Sequence, residues 1–172
     1  MTGTYPVSPA ATAGNDARGG VLVARFQRWL LGLSLLSCIF VAVELASLRH
    51  WKTATQYVPW YVLAVIAVSG LVVALAPTRL GVLQARVVSS VSVPAALFGV
   101  YEHVAANLET GVLDHRYDWT ALPGWEHLWL ASTGAVGGTP ALAPLVLALA
   151  GTLLGLATVG MTATAGDRLA PR

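Results

Sequence analysis

Apolar residues in this chain seldom alternate with polar ones; they run on, in four stretches at about residues 26–48, 58–77, 82–106 and 140–164. Each is close to the ~20 residues that carry an α-helix across a ~30 Å hydrocarbon layer. Beyond Arg28 at its start only Glu44 interrupts the first, and the second and fourth hold no charge. The third has Arg86 near one end and Glu102-His103 near the other. The pattern predicts an all-α polytopic membrane protein, with four transmembrane helices bundled in one domain over residues 23–165. Residues 1–22, rich in Thr, Ala, Gly and Pro, show no apolar period and read as a flexible cytoplasmic tail; 166–172 read as a second, shorter one.

Composition strengthens this picture. Of 172 residues, 56% are hydrophobic and 10% charged, against roughly 25% charged in soluble domains. A water-facing shell would be missing, so the lipid bilayer is the expected partner. The formal net charge of +2 comes from basic residues scattered between apolar runs, which sets topology rather than a nucleic-acid surface. Cys38 is the sole cysteine, so an internal disulfide and thiol-redox motifs are excluded.

Four crossings put the N-terminus, the 77–81 turn and the C-terminus on one side. That side holds Arg18, Arg25, Arg28, Arg79, Arg86, Arg168 and Arg172, against Arg49, Lys52 and Arg116 on the other. Both termini are therefore expected in the cytoplasm. The preference for Arg over Lys, with much Ala and Gly, points to a bacterial inner membrane. The connection 107–139 faces outward, and within it 122–131 reads as a short amphipathic helix, begun at Pro123-Gly124, lying at the interface where Trp125 and Trp129 are favoured. Gly134, Gly137 and Gly138 end it.

Small residues at four-residue spacing allow close helix packing: Gly70 and Ala74 in the second span, Ala95 and Gly99 in the third, Gly151 and Gly155 in the fourth. Pro94 removes the backbone bond to Ser90 and predicts a kink.

Chemistry concentrates at the outer end of the third span. Glu44 follows Arg28, and Glu102 follows Arg86, by sixteen residues each, which lifts both carboxylates ~24 Å to a similar height. Neighbours on a helix point ~100° apart, so His103 shares a face with Asn107 rather than with Glu102. In the loop, Glu126 and His127 repeat the aromatic-Glu-His order of Tyr101-Glu102-His103. Carboxylate with imidazole suits a divalent metal such as zinc or manganese, or a proton relay. The candidate cluster is therefore Glu44, Glu102, His103, Asn107, Glu126 and His127. The spacings of di-iron and metalloprotease templates, the nucleophile elbow and a phosphate-binding glycine loop are all missing. His50 and His115 read as solvated loop residues.

The order His103-x-x-x-Asn107-x-Glu109, then Trp125, then Gly138-Thr-Pro-Ala-Leu-Ala-Pro144, resembles a set of small bacterial four-helix integral membrane proteins. The resemblance covers about the second half of the chain. It implies that the end of the third helix, the loop and the Pro140–Pro144 segment form one module, and it carries no catalytic role. Three classes of function are expected: a non-enzymatic structural or accessory subunit of a larger membrane complex or homo-oligomer; a protein binding a metal or small cofactor through the cluster; and a small proton-linked carrier.

Overall fold

A computed structural model describes residues 9–161. Among them there are only helices and connections: α1 Pro9–Ser47, α2 Val58–Leu75, α3 Arg79–Gly111, α4 Gly124–Thr133 and α5 Pro144–Ala157, with a single 3-10 turn at Thr55–Tyr57 before α2. Three segments, Arg18–Ser47, Thr55–Leu75 and Arg79–Gly111, are long and apolar enough to cross a membrane. The sequence-predicted tails at 1–8 and 166–172 lie outside the described residues, as does the end of the fourth predicted span beyond 161.

Two boundaries differ from the sequence reading. Residues 9–22, assigned above to a flexible tail, belong to α1, which begins at Pro9. Proline fits a first helical turn, where its missing N–H costs nothing, and Ala10, Ala11 and Ala13 follow with the highest helix propensity. An apolar period marks which face a helix buries, not whether the helix forms. The fourth stretch is the second correction. Its helix covers Pro144–Ala157, ~21 Å at ~1.5 Å per residue, rather than 140–164. Thr139–Ala143 is held as a turn because the Thr139 N–H donates to the Asn107 side chain at 3.0 Å. At the other end, the Thr158 hydroxyl donates to the Gly155 carbonyl at 2.7 Å, and Gly160 adopts φ 74°.

α5 is the axis of the packing and touches α1, α2 and α3. Leu147, Ala150, Gly151, Leu154 and Ala157 are buried along it, an i, i+3, i+4, i+7 stripe facing its neighbours. Ile66 of α2 and Leu154 have no exposed surface. Close approach requires the glycines. A Cβ on Gly151 would collide with Ser92 of α3, and one on Gly155 with Ser89. Gly99 meets the Pro144 ring 3.0 Å from where its Cβ would stand, and Gly70 meets Leu35 at 3.2 Å. Ala95 is half-buried, whereas Ala74 is exposed. α3 continues as a helix through Pro94.

A short buried helix leaves carbonyls without partners at its last turn. Here backbone N–H groups of the following turn meet Gly155 and Leu156, and side chains of α1 and α3 donate to the carbonyls of that turn. Arg86 Nη2 donates to the Thr158 carbonyl at 2.8 Å and to Met161 at 3.4 Å, while Gln27 Nε2 donates to Val159 at 2.8 Å. Midway, the Ser34 hydroxyl donates to the Ala150 carbonyl at 2.8 Å. These contacts fix direction: α1 and α3 run together, α2 and α5 run opposite to them. Arg86 marks one end of the bundle, and the cap formed by the connection after α3 marks the other, the cap end.

The tightness at Gly151 is directly measurable. Gly151→Ala is expected to destabilise by about 1–3 kcal/mol through overpacking, and Ser92→Gly in the same chain to recover most of the loss. Unfolding in detergent, followed by a thiol-reactive dye at Cys38, which is 3% exposed, reports both; equal losses in single and double variants would remove the contact as the cause.

Candidate functional site

Beyond the helix core, α3 continues into a small second core. Leu130, Ala131 and Val136 are buried there against Val104, Leu108, Tyr117 and Trp119. α4 starts at Pro123, whose extended backbone serves as N-cap, and ends at Gly134 with φ 70°. That left-handed conformation is the usual exit from a helix and favours glycine.

Asn107 locks this cap. It has no exposed surface. Its Nδ2 donates to the carbonyls of Ala131 at 2.9 Å and Thr139 at 2.8 Å, and its Oδ1 accepts from the Thr139 N–H at 3.0 Å. Gly137, at φ 84°, lies so close that a Cβ would strike Asn107. One amide therefore ties α3, the end of α4 and the approach to α5, and all its strong bonds are spent on backbone.

The same cap occupies the loop residues of the predicted cluster. His127 stacks on Trp119, centroids 4.3 Å apart and planes 12° from parallel, with Nε2 2.8 Å from the Trp119 carbonyl. Trp119 in turn covers Gly111. Glu126 stands in the first turn of α4. The six-residue cluster is thus divided: Asn107, Glu126 and His127 belong to the cap, and Glu44, Glu102 and His103 belong elsewhere. The repeated aromatic-Glu-His order does not bring its two copies together. Among the described residues no group of three or more His, Cys, Asp or Glu is placed to hold a metal ion.

Glu44, Glu102 and His103 line one cavity of about 180 Å³ at the cap end, between α1, α2, α3 and the start of α5. Its walls are mostly apolar, from Val41, Leu45, Val62, Ala96, Phe98 and Leu147 among others, with Glu44, Glu102 and His103 among the polar lining. Among the described residues, neither carboxylate has a hydrogen-bond or ion-pair partner. His103 Nδ1 lies 3.0 Å from the Pro140 carbonyl. A carbonyl only accepts, so Nδ1 carries the proton, and in the neutral ring Nε2 is left as an acceptor.

His50, read above as a solvated loop residue, joins the same rim. Its ring stands edge-on to His103, centroids 6.3 Å apart. The end of α1 puts it there. The His50 N–H reaches back to the Leu45 carbonyl at 2.9 Å and the Arg49 N–H to Ala46 at 3.0 Å, the double closure of a Schellman turn. Arg49 takes φ 49° to make it, which is unusual away from glycine. Trp60 Nε1 then fixes the loop by donating to the His50 carbonyl at 2.8 Å. Burial first, and the neighbouring His103 second, push the His50 imidazole below its usual range, favouring the neutral ring.

On the far side of the cap, Arg116 grips Asp114 at 2.6 Å and donates to the Ala135 carbonyl at 2.7 Å. The guanidinium hydrogen bonds hold the Asp114 carboxyl down at about 2. No protein-family model, curated protein or solved structure matches the chain, so the site is read from its geometry.

Asn107→Ala would leave the Thr139 carbonyl and N–H without the side chain that pairs them, and the Ala131 carbonyl with only the Gly134 N–H at 3.4 Å. At roughly 1–3 kcal/mol for each unsatisfied group, relaxation included, a loss of about 2 kcal/mol or more is expected; a loss below about 1 kcal/mol in thermal unfolding would contradict the clamp. For Asp114 the folded value lies below the ordinary 3.8, so its contribution is present in full above that pH and is lost as pH falls through about 2. Arg116→Ala should flatten this acid limb of unfolding temperature against pH, by a small amount because the pair is solvent-screened.

Proposed function

We propose that this chain is a non-enzymatic integral membrane protein that binds a small, largely apolar molecule at the outer face of a bacterial inner membrane. The cavity carries the reading. It is walled by apolar side chains from four helices and carries two carboxyl groups, Glu44 and Glu102, without a partner among the described residues, the usual composition of a small-molecule site. For scale, a dry apolar cavity of ~150 Å³ holds benzene.

The topology proposed with it has four crossings and cytoplasmic termini. α5 with its flanking turns matches the rise of α3 from Arg86 to His103, ~26 Å at ~1.5 Å per residue, close to a ~30 Å core. The arginine excess at the Arg86 end supports the orientation. A role as an accessory subunit is the second reading, favoured by Trp125, Leu128 and Trp129, which α4 leaves exposed in a row.

A neutral probe tests the binding reading. 2-Phenylethanol is expected to bind saturably to the full chain in lipid nanodiscs and to raise its unfolding temperature. Ala95→Phe, which fills the cavity from α3, should abolish both effects while the protein stays folded. Equal partitioning into wild type, variant and empty nanodiscs would defeat the proposal.

A further inference from the structure

We infer that the cavity selects a lipophilic amine: its rim is built to receive an ammonium group, and its apolar wall to receive a body about the size of one aromatic ring. This rests on the small-molecule reading above and adds the ligand's charge. The argument is a count of donors and acceptors. The ionisable groups lining the cavity are Glu44, Glu102, His50 and His103, and the lining contains no lysine or arginine. Both carboxylates accept only, and neither is engaged by another side chain. The bond from His103 Nδ1 to the Pro140 carbonyl leaves Nε2, in the neutral ring, as a further acceptor. Among the ionisable groups the rim is therefore rich in acceptors. A carboxylate or phosphate would face two carboxyl groups there with no lysine or arginine in the lining, and the neutral donors beside the imidazoles are confined to Thr55, Gln56 and Thr139. A primary ammonium brings three N–H donors and a positive charge. Glu44 is half-buried at the edge of the apolar cavity, where such a partner offsets lost hydration, while Glu102 is exposed.

The volume narrows the class. About 180 Å³ is little more than the ~150 Å³ that accommodates benzene. It admits a ring and a short linker, which extend from the ammonium at Glu44 and Glu102 toward Val62, Ala96 and Leu147. Larger amines would leave part of the body outside, along Phe98.

Three probes of nearly equal size separate charge from burial: 2-phenylethylammonium, 2-phenylethanol and 3-phenylpropanoate, titrated into the full chain in zwitterionic lipid nanodiscs. The expected order is ammonium at least tenfold tighter than alcohol, with no saturable binding of the propanoate. In Glu44→Gln/Glu102→Gln the ammonium should fall to the affinity of the alcohol, while alcohol binding, which also reports that the variant is folded, stays unchanged. Alcohol and ammonium binding alike to wild type would overturn the selectivity and leave the small-molecule site standing. Failure of all three, with Ala95→Phe indistinguishable from wild type, would overturn both. Should the double variant not fold, the ranking of the three probes on wild type decides alone.

Discussion

The last turn of α5 sets the terms for the rest of this structure. A helix buried among others needs partners for its final carbonyls, and α5 stops too early to carry them away from its neighbours. Arg86 and Gln27 reach across from α3 and α1 to Thr158 and Val159, charged and amide donors doing what a longer helix would do for itself. Those two side chains fix how far α5 can sit along α1 and α3. Once that level is fixed, Gly151 meets Ser92, Gly155 meets Ser89, and Pro144 meets Gly99. The cavity is what remains where α5 begins and its neighbours continue past it.

The polar residues at the cap end divide by how many of their bonds the protein itself consumes. Asn107 spends its amide on Ala131 and Thr139, and His127 is committed to Trp119; both are parts of the scaffold. Glu44 and Glu102 retain their full accepting capacity, and His103 retains half of its ring. Unspent hydrogen-bonding capacity beside an apolar wall separates a binding rim from a structural network, even when the same residue types make up both.

Much of this architecture can be read in the sequence, because unbroken apolar runs report burial or lipid whatever the fold. Three such helices are of spanning length, and α2 begins at Val58, where its run begins. What the runs do not encode is where tertiary contacts cut them. The start of α5 depends on Asn107 reaching Thr139, 32 residues away, and composition is silent about that. α1 extends back to Pro9 because helix propensity needs no apolar period. At the site, the equal spacing of Glu44 and Glu102 from arginines places them at one height, and both line the cavity. Yet Arg86 is no free interfacial anchor; it caps α5. His50 was illegible because it depends on a left-handed Arg49, a conformation that local sequence does not advertise without glycine. Glu126 and His127 imitate the site in order and belong to the cap.

The pins between helices also decide what can move. α3 and α5 are joined at both ends, through Arg86 to Thr158 and through His103 and Asn107 to Pro140 and Thr139, so the two rods cannot slide past each other without breaking bonds at opposite ends. α1 is fastened to α5 twice, by Ser34 and Gln27. α2 has no such rivet: among the described residues its one side-chain bond outside its own helix is from Trp60 to the loop before it, and Ser69 is buried with no partner. Three walls of the chamber thus form a rigid frame, and the fourth is a panel held by apolar contact alone, hinged on the loop that carries His50.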